Sequence, residues 1–520
     1  MNPENPRPPV LSGNTRTVAR NSFWYGLEVS FGLVTAFFIS IAVANTFGPD
    51  RLSYYNYVAW LTNVSITLGT FGMPATARKY MAEFLNCGER EVARATYLVT
   101  LKIQVYLALG IGAAALAVVL WLGDPQYRAA AVLLVAAVPP RLIATIPSQA
   151  NNAAEMLRLN TGPSLAGAAA TAILTVVSLW SGWGLAGLAA ALVIGSALEC
   201  LLKLLAVERW LGGVARGTVS PELKRRMFAY SGQGLALMVL NIVVWDRSDV
   251  IILKALNHDP RQITFFSYAF TLSERVLLIP AMFGGSLSAT MMAQFGRGRA
   301  RLKEMTVDGG RYALLMSLPL LLGMACISRP LIMLLYINSY RLMIPTLTIV
   351  AIMAIPKGLI TAPTMLLQAS ERQGFLILWG CVCGVIDIGL DILLTPAHGA
   401  SGAAFANGSA QAVGALGIWI YAWKTNDLDL RLRDFGRIAA SGAIMAAGVL
   451  ATLWAIPGAW GMLVAIVLGA ALWMIALRFT AALRPEDVGR LLSLGEQLPM
   501  GPRRHWKRLM SWLAPGNPMA

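Results

Sequence analysis

Apolar runs of about twenty residues recur from one end of this chain to the other, and that recurrence leaves few folds open. About fourteen are long enough to cross a bilayer. They cover residues 22–46, 52–73, 97–122, 128–150, 162–181, 184–206, 229–255, 261–284, 311–336, 341–368, 374–395, 400–423, 437–456 and 459–481. Lipid offers no hydrogen-bond partners, so each run must satisfy its own backbone, as a helix does. The expected fold class is therefore an all-α polytopic membrane protein. A length of 520 residues would otherwise suggest several soluble domains. A composition of 57% hydrophobic and 13% charged residues overrules that.

The net charge of +16 does not point to nucleic acid, because the basic residues lie mostly in short loops. One set of loops holds Arg16 and Arg20, Arg78 and Lys79, Arg90 and Arg94, Arg209 and Arg216. It continues through Lys224–Arg226, Arg297–Lys303, Lys424 with Arg431 and Arg433, and Arg503–Arg508. The opposite set offers Arg51, Arg128, Arg261, Arg329 and Arg341. The first set is cytoplasmic by the positive-inside rule, which puts both termini in the cytoplasm. An even number of spans agrees. Residues 1–20 are polar and proline-rich, and the first apolar run is too long for an h-region, so no cleaved leader is expected.

The chain also repeats itself. Placing Pro49 on Pro260, an offset of 211 (260 − 49), aligns 49–84 with 260–295 without a gap. Tyr54-Tyr55-Asn56-Tyr57 then meets Phe265-Phe266-Ser267-Tyr268. Gly184-x-x-Gly187 meets Gly399-x-x-Gly402 at an offset of 215 (399 − 184). Three matches in one order define two homologous six-span lobes, residues 21–207 and 229–423. A cytoplasmic segment 1–20 precedes them and a cytoplasmic linker 208–228 joins them. Two further spans follow over 437–481, then a basic cytoplasmic tail over 482–520. Six spans per lobe give both lobes the same orientation, with the substrate path expected between them. In the tail, Trp506, Leu509 and Leu513 share a helical face with Arg503, Arg504, Lys507 and Arg508 around them. That pattern fits either an interfacial helix on anionic lipid or an unstructured basic tail.

The third match carries chemistry. Pro140-Arg-Leu-Ile-Ala-Thr-Ile-Pro147 and Pro356-Lys-Gly-Leu-Ile-Thr-Ala-Pro363 both read Pro-[Arg/Lys]-x-x-x-Thr-x-Pro, at an offset of 216 (356 − 140). A cation inside a span costs about 2.5 kcal/mol or more and usually faces a polar cavity. Thr145 lies four residues after Arg141, and Thr361 four after Lys357, so each pair shares a helix face. Pro147 frees the carbonyl of Ile143, and Pro363 that of Leu359. A kinked helix whose cation snorkels would explain one such motif. Its repetition favours two cations, one per lobe, aimed at a shared anionic ligand.

The acidic residues inside spans are asymmetric. Glu28 lies in span one; Asp246, Arg247 and Asp249 in span seven; Glu274 and Arg275 in span eight. Buried carboxylates bind Na⁺ or H⁺ in many carriers, but Arg247 and Arg275 invite local ion pairs for Asp246, Asp249 and Glu274. Asp387 and Asp391, at i and i+4 in span eleven, have no cation beside them in sequence and are the stronger candidates for a coupling-ion site. The two aromatic runs are expected in the membrane-interface belt, with a sugar contact the alternative. No Gly-x-x-x-x-Gly-Lys-[Ser/Thr] motif is present. The three histidines and five cysteines show no metal-ligand spacing. No nucleophile–base set stands out, so neither an enzyme nor a resident cofactor is expected, beyond Na⁺ or H⁺ coupling.

With these features in place, the chain resembles the Wzx-type polysaccharide flippases of the multidrug/oligosaccharidyl-lipid/polysaccharide (MOP) exporter superfamily. The resemblance rests on Gly48-Pro49, Tyr54–Tyr57, Gly72-Met73-Pro74, Pro356-Lys357 through Gln368-Ala369, and Gly399-Ala-Ser-Gly402-Ala-Ala-Phe-Ala. It covers about residues 20–480. It implies a V-shaped pair of six-helix lobes in a bacterial inner membrane. The implied cargo is an undecaprenyl-diphosphate-linked oligosaccharide bound for O-antigen or exopolysaccharide, with Arg141 and Lys357 suited to its diphosphate. Anionic lipids, a polysaccharide polymerase and chain-length machinery are the implied partners. Two other readings remain open: a cation-coupled multidrug exporter of the same fold, and a non-transporting membrane scaffold for glycan assembly.

Overall fold

The computed structural model describes residues 15–489 and 492, apart from 216, 246, 247, 258, 295–298, 371 and 485. The expectations for Asp246, Arg247 and the 503–513 helix therefore lie outside the described residues. Among those described, eighteen α-helices and two short 3₁₀ turns make up the regular structure. The first group is α1 (Thr15–Gly69), α2 (Met73–Asn86), α3 (Arg90–Leu122), α4 (Arg128–Ala136), α5 (Val138–Ile143), α6 (Thr145–Ala153), α7 (Arg158–Ser181) and α8 (Gly184–Leu211). The second is α9 (Pro221–Trp245), α10 (Asp249–Leu256), α11 (Arg261–Gln294), α12 (Arg299–Leu335), α13 (Met343–Met353), α14 (Ile355–Gly358), α15 (Thr361–Ala369) and α16 (Gln373–Asn426). Last come α17 (Leu432–Ala455) and α18 (Ala459–Phe479).

Ten stretches among the described residues are long and apolar enough to cross a membrane. Two of them, Gly26–Asn86 and Gln373–Asn426, each hold two of the expected spans. The chain turns inside the first at Gly48, with φ 70° ahead of Pro49, and inside the second at Gly399, with φ 53°. Helices α9, α10 and α11 occupy the places expected for spans seven and eight.

The repeat is visible in the helix boundaries. Helices α6 and α15 both begin at the motif threonine and both run nine residues. Gly184 and Gly399, at matching places in the repeat, both have positive φ, 65° and 53°. A side chain at either position would be strained, and this explains why the repeat keeps glycine there. The connection between the second and third expected spans, which carries Arg78 and Lys79, is itself helical: in α2, Thr76, Ala77, Tyr80 and Met81 are buried. Its apolar face packs with Tyr97, Ile146 and Val207.

Contacts divide the chain into two compact units. One takes the described residues up to Thr46 together with Tyr57–Val239. The other takes Phe47–Asn56 and the described residues from Leu240 onward. Within the second unit, α17 and α18 pack on α12 through Leu318, Ile438 and Leu477. The chain after α18 then folds back, burying Ala482, Leu483 and Val488 in the same core. An ionic cluster pins that return. Fully buried Arg311 pairs with Asp487 and lies 3.8 Å from Asp308. Arg484 reaches Asp308 at 2.9 Å and also pairs with Asp434.

Candidate functional site

Proline decides where the motif helices break. Helix α5 carries Arg141 and ends at Ile143; the chain resumes as α6 at Thr145, two residues before Pro147. In the second unit α14 carries Lys357 and stops at Gly358, and α15 resumes at Thr361, two residues before Pro363. Pro363 has no N–H to offer the Leu359 carbonyl. That carbonyl instead accepts a bond of 3.1 Å from Trp419 Nε1 on α16. Thr145 Oγ1 donates to Leu142 O at 2.6 Å, so its hydroxyl hydrogen serves its own helix break. Thr361 faces the close approach of Gly284 on α11.

Each motif cation meets a polar side chain within its own unit. Arg141 Nη1 donates to Asn63 Oδ1 at 3.1 Å. Lys357 Nζ lies 3.3 Å from Glu274 Oε1 and 5.2 Å above the Phe270 ring. The repeat offset of 211 places Asn63 on Glu274. The two cations therefore have repeat-equivalent partners, one neutral and one anionic. This corrects the expectation that Glu274 would pair with Arg275. Arg275 instead faces the phenols of Tyr268 and Tyr336.

Lys357 and Glu274 line a small cavity in the second unit, together with Ser273, Asn407 and Gln411. Behind it lies an acidic cluster. Asp249, Asp387 and Asp391 are 1%, 2% and 1% exposed. Asn407 Nδ2 donates to Asp249 Oδ2 at 3.1 Å, and Gln411 Nε2 donates to Asn407 Oδ1 at 2.7 Å. Thr395 Oγ1 donates to Asp391. Asp387 and Asp391 act electrostatically on Asp249. One oxygen of each carboxylate, Asp249 Oδ1, Asp387 Oδ1 and Asp391 Oδ2, is buried without a hydrogen-bond partner. Among the described residues, no three His, Cys, Asp or Glu side chains converge with metal-ligand geometry.

The structure thus brings Asp249 together with Asp387 and Asp391. Glu28, in the first unit, accepts a 3.3 Å bond from Thr161. Asn407 and Gln411 were missed, because a neutral amide in an apolar run carries no sequence signal of its own. Asn63 was discoverable, because it stands opposite Glu274 in the repeat. The second aromatic run also changes role. Phe265 and Phe266 are fully buried, and Tyr268 packs edge-on to Tyr336 and tilted against Tyr340, at centroid distances of 6.0 Å each. In the second unit this run is core packing, not an interface belt.

No family model and no curated protein matches this sequence. Solved structures do match in fold. The lipid II flippase MurJ in an inward closed conformation aligns with a TM-score of 0.69 at 15% identity, over 88% of this chain and 98% of that one. An inward-facing multidrug resistance MATE family transporter aligns at 0.64 and 12% identity, over 77% of this chain and 98% of that one. A MOP superfamily transporter from Pyrococcus furiosus Vc1, described as having a binding pocket of reverse polarity, aligns at 0.59 and 13%, over 79% and 95%. The chain has the two-lobe, all-helical fold of MOP superfamily transporters.

Proposed function

We propose that this protein is a flippase. It translocates undecaprenyl-diphosphate-linked oligosaccharide units across a bacterial inner membrane by alternating access, for O-antigen or exopolysaccharide synthesis, with both termini in the cytoplasm. The observation that carries this reading is the pair of repeat-equivalent cations, Arg141 and Lys357, each at a proline-broken helix. A diphosphate carries about two negative charges, which need compensation wherever water is scarce. Thr145 and Thr361, four residues after the cations on the same helix faces, support the diphosphate beside them. The likeness to a lipid II flippase agrees with a lipid-linked cargo. The likeness to MATE transporters keeps a cation-coupled drug exporter as the second reading. Two basic motif residues disfavour cationic drugs as its substrates. A cell-based assay separates these. Deleting the gene should leave lipid-linked sugar on the cytoplasmic leaflet without sensitising cells to drugs. Drug sensitivity with normal glycan export would install the exporter reading. No change in either would leave a scaffold for glycan assembly.

The acidic cluster supplies the energy coupling in this reading. Three carboxylates buried together cannot all stay ionised without a cation, and Asp249, Asp387 and Asp391 each keep one oxygen free to receive a proton or help hold Na⁺. Asp246, three residues before Asp249 in the sequence, and Glu28 in the first unit are the further candidates for ion coupling. The Asp387→Asn, Asp391→Asn double variant is expected to lose its dependence on Na⁺ or pH in a vesicle transport assay. Normal transport with an unchanged ion dependence would remove the cluster from the mechanism.

A further inference from the structure

Helix α16 turns at Gly399, and its first turns come to lie beside its last. Ser370 Oγ, just ahead of the helix, donates to Asn426 Oδ1 at its far end at 3.1 Å. Near these ends three rings line up. Phe375 lies flat on Tyr421, with 3.7 Å between centroids and 6° between planes, and is parallel to Trp379 within 10°. Trp379 Nε1 donates to Gly414 O at 3.3 Å, so the indole's one donor is satisfied. A Cβ at Gly417 would run into that indole, so glycine lets the ring lie close against the second arm. The rings wall an open groove that Leu416 and Ile420, both exposed, help to line. The groove reaches Lys424 in the last helical turn. Lys424 is exposed and makes no ion pair among the described residues. The nearby Asp429 is engaged by Arg431 at 3.1 Å.

The repeat shows that the fold does not require this groove. At the 215-residue offset, Phe375, Trp379 and Tyr421 stand on Asn160, Ser164 and Ala206, while Lys424 stands on Arg209. A cation at this span end is common to both lobes, as charge bias across a membrane explains. The rings belong to the second lobe alone. We propose that the groove seats an anionic phospholipid, with one acyl chain along the rings and the phosphate at Lys424. From Val413 to Lys424 the helix advances eleven residues (424 − 413), roughly 16 Å. Half of the hydrocarbon core is about 15 Å deep, so the groove matches the acyl chain of one leaflet. The ammonium is a compact charge with three donors, all suited to phosphate oxygens. A soluble phosphate would leave the apolar length of the groove unused. The site lies on α16 alone and does not depend on the cargo.

The test uses the purified full-length protein in nanodiscs containing phosphatidylglycerol with a photoactivatable acyl chain, and labelled positions are mapped on peptides. Phosphatidylcholine carrying the same chain is the zwitterionic control, and variants are compared at matched thermal unfolding. Phosphatidylglycerol is expected to label residues 375–379 and 413–420 more strongly than phosphatidylcholine does. Lys424→Gln should cut the phosphatidylglycerol label about fivefold, the effect of one lysine at an anionic surface, and high salt should narrow the gap. Lys424→Arg should keep the label. Tyr421→Ala, which gives the groove the first lobe's residue, should lower labelling by both lipids. Equal labelling by the two lipids, unchanged in Lys424→Gln, would mean bulk lipid without headgroup choice and would overturn the proposal. Labelling indifferent to Tyr421→Ala would put the chain elsewhere and overturn it too. Displacement of the label by equimolar undecaprenyl phosphate would give the groove to an isoprenoid chain instead. None of these failures touches the flippase reading, which rests on other residues.

Discussion

Replacing Arg141 with alanine is expected to cut surface polysaccharide output by about tenfold or more at matched protein level, with lipid-linked precursor accumulating. A hydrogen bond to a charged group is worth about 1.5–3 kcal/mol, which converts to roughly ten- to a hundredfold. Lys357→Ala should cut output less than Arg141→Ala, because Glu274 already offsets its charge. Arg141→Lys should keep part of the activity, since a point charge replaces a planar fork that can grip two oxygens. Lys357→Arg should keep most of it. If both cations serve one ligand, the double alanine variant loses less than the sum of the two singles in free energy. Wild-type output from both alanine variants at normal expression would make the motif structural.

Asp487→Ala should destabilise the protein by about 3–5 kcal/mol, because it leaves Arg311 buried with its main partner removed. Tyr312 would lose its acceptor as well. The readout is thermal unfolding of the purified protein, together with exposure of the 482–489 segment to protease. Burial pushes the Asp487 carboxyl up, but hydrogen bonds from Arg311 and Tyr312 outweigh it and hold it below the usual carboxylate range. A carboxyl whose folded value is depressed stabilises the fold fully above its unfolded value, about 3.9. That stabilisation is lost as pH falls through the lower folded value. Parent and variant should therefore differ most near neutral pH and converge at strongly acid pH. Equal melting at neutral pH would show that the cluster contributes nothing net.

The two sites differ in how far the sequence announces them. The spans, the repeat and the two helix breaks were legible, because apolar run length, the 216-residue recurrence and the missing N–H of Pro147 and Pro363 are properties of the chain itself. Asp387 and Asp391 were legible as a pair, because i and i+4 share a helix face. Their meeting with Asp249 and Asn407 was not, because it is made by packing α10 against α16. The Arg311–Asp487 pair was invisible for the same reason, its members standing 176 positions apart in the chain. The run Phe265–Tyr268 misled because an aromatic at a span end suits a lipid interface and a packed core equally, and only neighbours such as Tyr340 decide.

The corner at Leu359 is fixed by covalent structure. A break caused by weak packing could close again, with the span straightening into one rod and bending back. This one has no straight state to return to. The Leu359 carbonyl lost its helical donor when proline took position 363, and Trp419 has engaged it from the adjoining helix. Whatever movement this span undergoes, its two arms must swing as separate levers about a permanent elbow. Any change of shape in this span is then made by pivoting, with no helix to melt and reform.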